Sequence, residues 1–152
     1  MELRDLAKEA VLIPEDATFR DAIEVMVRKQ TNSLLVINEE GGLVGEVNVA
    51  DLLDAIIPAD FDGDATLEHL STDAAFKAAV ENASDITVRD FMTTDIEPVH
   101  IDDSLLAIAA TAIAHQTAHI PVVDHDERPI GFISRRGLKH ILAQYLDIAD
   151  SP

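Results

Sequence analysis

The chain has no cysteine, which removes disulfide frameworks and thiolate metal sites from consideration. It is poor in cations. Eleven Lys and Arg stand against 29 Asp and Glu, for a formal charge of −18. Nucleic acid and anionic membranes are recognised through many Lys and Arg contacts to phosphate, so neither is an expected partner. No apolar run approaches the ~20 residues needed to cross a bilayer. The opening Met1-Glu2-Leu3-Arg4-Asp5 lacks the basic and apolar regions of a secretory signal, and a cytoplasmic protein is expected. Acidity of this kind bears on solubility rather than on fold. With lysine so scarce, it is compatible with a salt-rich cytoplasm.

The arrangements that common enzymes need are missing as well. His115-Gln116-Thr117-Ala118-His119 imitates a His-Glu-x-x-His zinc helix. However, Gln116 replaces the base, and His119 falls where a strand is expected to begin, so the two rings would not share a helical face. Asp60, Asp62 and Asp64 resemble the start of a calcium loop, but Ala65 and Ser71 occupy its Gly and Glu positions, which leaves a solvated acidic loop. Gly42-Leu43-Val44-Gly45 lacks the Lys-Ser/Thr of a phosphate loop, and no Ser-His-Asp or Cys-His set is present. No catalytic residue, metal ligand or enzymatic activity is expected.

What the chain does have is an internal repeat. Leu34-Leu35-Val36-Ile37-Asn38, a turn and Val44-Gly45-Glu46-Val47 recur as Ile120-Pro121-Val122-Val123-Asp124, a turn and Ile130-Gly131-Phe132-Ile133, 86 positions on. The register extends back through a helix. Phe19, Ala22, Ile23, Met26 and Val27 match Leu105, Ile108, Ala109, Ala112 and Ile113, each set at i, i+3, i+4, i+7, i+8. Thr18 and Ser104 stand at the N-cap positions. Further upstream, Arg4-Asp5-Leu6 matches Arg89-Asp90-Phe91 at an offset of 85, so one copy carries an extra residue near its first strand. Repeats of this length mark a duplicated unit. A lone copy of about 55 residues would have a thin core, which two packed copies would remedy.

In order, the pattern predicts a helical lead-in over Glu2 to Lys8 and a strand over Val11 to Ile13 that Pro14 ends. A helix from Phe19 to Lys29 and strands over Ser33 to Asn38 and Leu43 to Val47 follow. Asn48 then caps a helix from Val49 to Ile57, which Pro58 stops. Residues 59–85 connect the copies. They hold the acidic loop, a helical turn over Leu67 to Leu70, and a helix from Thr72 to about Asn82 capped by Ser71. Copy two continues through Val88 to Met92, a strand over Ile96 to Val99, and a helix from Leu105 to Ala114. That helix is apolar nearly all round, and such helices are buried on more than one side, here against the other copy or a second subunit. A last helix begins after Ser134.

Each unit resembles a CBS motif, and the pair resembles a tandem CBS, or Bateman, module. The resemblance is carried by Ile120-Pro121-Val122-Val123-Asp124, by the Gly-apolar-apolar-Ser turn from Gly131 to Ser134, and by Asn48-Val49-Ala50-Asp51 followed by Leu52. It implies an α/β fold of two β-α-β-β-α motifs with pseudo-twofold symmetry: motif 1 over 1–58, the connection over 59–85, and motif 2 over 86–152. It further implies adenosine-type ligands in the clefts between the motifs. The residue before the apolar-Pro pair flanks the base, an Asp in the first turn of the last helix takes the ribose, and a Ser or Thr capping that helix meets phosphate. Carried over, copy one supplies Ser33, Leu34, Asn48 and Asp51, and copy two supplies His119, Ile120, Pro121 and Ser134. Gly137 stands where copy two should have its ribose Asp. Leu12 and Pro98 stand where the family's first strand often has a ligand-facing Thr.

A helix N-terminus is a natural anion site because its amides are unpaired. Arg135, Arg136, Lys139 and His140 form the densest basic cluster of an acidic chain and fall on the first turns of a helix, where cations are otherwise disfavoured. Phosphate, or a carboxylate across a dimer interface, would account for them. The expected protein is a regulatory homodimer that requires no cofactor. It binds AMP, ADP, ATP or S-adenosylmethionine and acts on a separate, unknown effector protein. The alternative is a ligand-free interaction scaffold.

Overall fold

The structure is a computed structural model that describes residues 6–57, 72–115 and 119–148. The element order is β1 (Leu12–Pro14), α1 (Phe19–Lys29), β2 (Ser33–Ile37), β3 (Leu43–Asn48), α2 (Val49–Ile56), α3 (Asp73–Ala83), α4 (Val88–Phe91), β4 (Val99–His100), α5 (Leu105–His115), β5 (His119–Val123), β6 (Pro129–Ser134) and α6 (Arg135–Tyr145). Each copy forms one three-stranded sheet, in the orders β1-β2-β3 and β4-β5-β6. In each, the first two strands are parallel and are joined through a helix, the connection that parallel pairing requires.

The chain divides into two compact units: Val11–Glu39 with Val44–Asp95, and Met1–Ala10 with Glu40–Leu43 and Ile96–Pro152. The lead-in of each copy therefore lies in the unit of the other. The amide of Lys8 donates to Phe132 O (2.8 Å) and that of Phe132 to Lys8 O (2.9 Å). Glu46 and Thr93 exchange the same two bonds at 2.9 and 2.8 Å. Phe132 and Glu46 are 86 positions apart, whereas Lys8 and Thr93 are 85 apart. The extra residue thus belongs to copy two, between Thr93 and Val99. The second lead-in is also pinned through Val88 N–H to Ala17 O (2.7 Å), and Arg89 pairs with Glu15 Oε1 (3.0 Å).

The core of the first unit is built from Ile13, Phe19, Ala22, Met26, Leu34, Val36, Val47 and Leu52, closed by Ala83 and Val88. That of the second is smaller: Val99, Ile108, Ile120, Val122 and Ile133. Helix α1 begins at Thr18, whose side chain and that of Asp21 cap each other's amides, and ends at Gln30 in the left-handed conformation.

Three expectations are corrected. Pro14 does not end the first strand but closes β1 opposite Ile37, on a sheet edge where its missing amide costs no ladder bond. The strand expected over Ile96 to Val99 is Val99–His100, and residues 94–98 around Pro98 are irregular. Helix α3 is capped by Thr72, which accepts from the amide of Ala75 (3.1 Å); Ser71 lies outside the described residues, as do Asp60, Asp62, Asp64 and Leu67 to Leu70. Helix α5 is covered on one side within its unit. Ile108 is fully buried, while Leu106 and Ile113 are 81% and 76% exposed, because a single sheet layer covers one stripe of a helix. Val27, which stands at the Ile113 position of copy one, is 72% exposed as well.

Candidate ligand-binding positions

Side chains alternate across a strand, so burial sorts the candidates by face. In copy one, Leu34, Val36 and Val47 point into the core. Ser33, Leu35, Glu46 and Asn48 therefore take the opposite sheet face, with Leu12 paired beside Leu35. In copy two, Ile120, Val122 and Ile133 fill the core, leaving His119, Pro121, Phe132 and Ser134 on the other face. Leu34 and Ile120 thus spend their side chains in packing and offer only backbone. Leu12 is 41% exposed, and Pro98 is half-buried ahead of β4.

Copy one gathers a polar group at the start of α2. Asn48 caps the helix, accepting from the amide of Asp51 (3.0 Å), and its own amide donates to Asp51 Oδ2 (2.8 Å). The Thr93 hydroxyl, delivered by the exchanged lead-in, donates to Asp51 Oδ1 (2.7 Å). Burial, helped by the charge of Asp51, raises the carboxyl of Glu46 above its ordinary range. A carboxylate offers about four lone-pair sites. Asp51 is therefore held by two donors with capacity left for two more.

Copy two differs at all three neighbouring positions. Lys8 stands for Thr93, Phe132 for Glu46, and Gly137 for Asp51. Ser134 caps α6, accepting from the amide of Gly137 (3.0 Å), and lies directly across the strand pair from His119. The rings of His119 and Phe132 meet edge to face, with centroids 4.8 Å apart. Burial, and then the charge of Lys8, lowers the His119 pKa, so this imidazole is neutral at pH 7. Arg135, Arg136 and Lys139 are exposed on the first turns of α6. One sheet face is thus acidic and polar, and the other aromatic and basic.

Glu46, Thr93, Phe132 and Lys8 were not singled out from the sequence. Their positions in the repeat were visible, but the exchange of lead-ins that brings Thr93 to Asp51 and Lys8 to Phe132 was not. His115 ends α5, with its Nε2 3.5 Å from Glu97, and His119 stands on β5, so the pair forms no zinc helix. Among the described residues no group of three or more His, Cys, Asp or Glu side chains is placed to hold a metal, and no helix is long and apolar enough to cross a membrane. A cavity of about 320 Å³ opens in the first unit between α1 and α2, lined by Met26, Val27, Gln30, Asn32, Val49 and Leu52. None of the candidate residues lines it.

Two α/β motifs, each with a strand-to-helix turn capped by a polar side chain, make up a tandem repeat of one fold unit. The chain belongs to the CBS domain family, whose pattern it matches over residues 3–58 and 88–144. It is 25% identical to the uncharacterised protein MJ1426 of Methanocaldococcus jannaschii, over 91% of this chain and 89% of that one. It is also 25% identical to a homoserine O-acetyltransferase of Methanococcoides burtonii, where 90% of this chain spans only 23% of the larger protein. Among solved structures it is similar to CBSX2 of Arabidopsis thaliana in complex with AMP, with a TM-score of 0.68, 22% identity, and coverage of 95% of this chain and 98% of that one.

Proposed function

We propose that the protein is a regulatory module that binds an adenosyl ligand and passes its occupancy to a separate protein, working as a homodimer. The observation that carries this reading is Asp51. Its carboxylate is fixed at a helix start by the Asn48 amide and the Thr93 hydroxyl and keeps acceptor capacity for a ribose diol. Family membership supports an adenosyl ligand, and the AMP bound to CBSX2 is a ligand of that class. In this reading Ser33, the Leu34 backbone, Asn48 and Asp51 receive the sugar and base in copy one. In copy two, His119, the Ile120 backbone and Pro121 flank a base, while Ser134, Arg135 and Arg136 receive phosphate. Leu12 and Pro98 border the two sites. With Gly137 in place of the second Asp, copy two reads phosphate rather than ribose. The module is regulatory rather than catalytic.

Calorimetric titration of AMP and adenosine into variants tests the assignment. Losing hydrogen bonds to a charged group costs about 1.5 to 3 kcal/mol, so Asp51→Ala should weaken both ligands by roughly tenfold or more. Arg136→Ala should weaken AMP and leave adenosine unchanged. Unaltered affinities in both variants would overturn the site.

A second reading is favoured by a specific observation. Leu106 and Ile113 on α5, Leu142 and Tyr145 on α6, and Leu146 at its C-cap are exposed. A ligand-free scaffold would use this apolar surface for association. Changes there, and not at Asp51, would then alter behaviour in solution.

A further inference from the structure

We propose that copy two carries a clasp, absent from copy one, in which His100 with Glu127 and His125 with Asp102 tie the entry of α5 to the β5–β6 hairpin, and that acid strengthens it at His100. The geometry is reciprocal. His100 Nε2 lies 2.7 Å from Glu127 Oε1, and His125 Nε2 lies 2.8 Å from Asp102 Oδ2. Each of the two segments therefore contributes one imidazole and one carboxylate. A backbone bond joins the segments, Ile101 N–H donating to Val123 O (3.0 Å), and the turn that carries His100 is held by its own amide donating to Asp103 Oδ2 (2.9 Å). The hairpin is tightened by Asp124 Oδ1, which accepts from the amides of Asp126 (2.9 Å) and Arg128 (3.0 Å). Its tip also accepts from Leu43 N–H at Glu127 O (3.0 Å), so three segments of the unit meet at this point.

Glu127 is the telling residue. Its φ is +62°, in the left-handed region that disfavours side chains. The repeat places Gly41, at φ +83°, in the same position of copy one, where the conformation is free of that cost. Copy two keeps a glutamate against this preference, and its carboxylate is the one that holds His100. A strained residue retained in this way points to a use for its side chain. The two imidazoles are equally particular to copy two, since Pro14 stands at the His100 position and Glu39 at that of His125.

Glu127 and Asp103 are the charged groups around His100, and both favour its imidazolium; Asp102 and Asp124 are the carboxylates beside His125. The hydrogen bond to Glu127 raises the His100 pKa above its ordinary value, against a smaller opposing effect of burial. A raised histidine binds its proton more tightly in the folded state. Its stabilisation is complete below the unfolded value of about 6.5 and fades as pH rises through the folded value. Both pairs are exposed and screened by salt, so the effect is small in free energy and is best read at the imidazole itself.

The test is an NMR titration of the histidine rings in the whole chain, with Glu127→Gln and Glu127→Gly alongside the wild type. The His100 midpoint should lie above 6.5 in the wild type and fall in both variants. The melting temperature of the wild type should exceed that of Glu127→Gln at pH 6, with the difference gone by pH 9. Glu127→Gly relieves the positive φ, so it should melt at or above the wild type at pH 9 and lose that advantage at pH 6. An unchanged His100 midpoint in Glu127→Gln, or a melting difference independent of pH, would overturn the proposal.

Discussion

At Gly131 a Cβ atom would collide with the carbonyl oxygen of Lys8, and at Gly45 it would stand 2.6 Å from the sulfur of Met92 and 3.0 Å from Thr93 O. Neither glycine is needed for a turn. Both are needed because the exchanged lead-in crosses the strand at that point. The clash at Gly131 is with backbone and that at Gly45 is chiefly with a flexible side chain, so the cost should differ. Gly131→Ala should destabilise by about 1 to 3 kcal/mol, as overpacked sites do, and Gly45→Ala by less. Gly137 is the control: its nearest new contact would be Ser134 Oγ at 3.6 Å, inside a helix. Gly137→Ala should therefore stabilise by roughly 0.5 to 1 kcal/mol. Urea melts of the three variants check the order, and equal effects at Gly131 and Gly137 would contradict the crossing argument. The repeat made the paired glycines legible in the sequence, but their reason was hidden. Each partner lies more than 40 residues away, and no local pattern encodes which lead-in crosses which strand.

Among the elements, α1 matches its expected span, Phe19–Lys29, residue for residue, because an amphipathic stripe, a capping Thr-x-x-Asp and a terminal Gln-Thr agree on it. Helix α5 shows where composition is silent. Being apolar all round, it carries no stripe to say which face is covered, and the structure covers only the Ile108 side within its unit. Ile108→Ala should cost about 2 to 4 kcal/mol, since it empties a fully buried core position. Leu106→Ser should leave the melting temperature of the isolated chain almost unchanged, because exposed substitutions stay within about 0.5 kcal/mol. Under the scaffold reading it should instead shift the sedimentation profile. Strand β4 starts later than the pattern predicts for a physical reason as well: Pro98 has no amide to donate, so pairing with β5 begins only at Val99. The candidate positions divide in the same way. The caps Asn48 and Ser134 have a sequence signature, whereas Asp51 and His119 enter only through the family resemblance. Thr93, Glu46, Lys8 and Phe132 were not legible, because they reach their places through long-range pairing.

For the molecule as a whole, the duplication supplies two quasi-equivalent sheet faces, and the residues that differ between copies give them opposite character. One carries Asp51, Glu46 and Thr93; the other carries His119, Phe132, Lys8 and Ser134 with the arginines of α6. The account therefore predicts unequal affinity of the two copies for one ligand. The direct measurement is a thermal-shift panel on nucleotide-stripped protein with AMP, ADP, ATP, NAD and S-adenosylmethionine, repeated on Asp51→Ala. A ligand at a hundred times its dissociation constant stabilises the fold by about 2.7 kcal/mol, which for a chain of this size raises the melting temperature on the order of 2 to 4 °C per kcal/mol. The account predicts a rise of several degrees with at least one adenosyl ligand, reduced by Asp51→Ala. A flat panel, matched by flat calorimetry, would contradict it and leave the scaffold reading in its place.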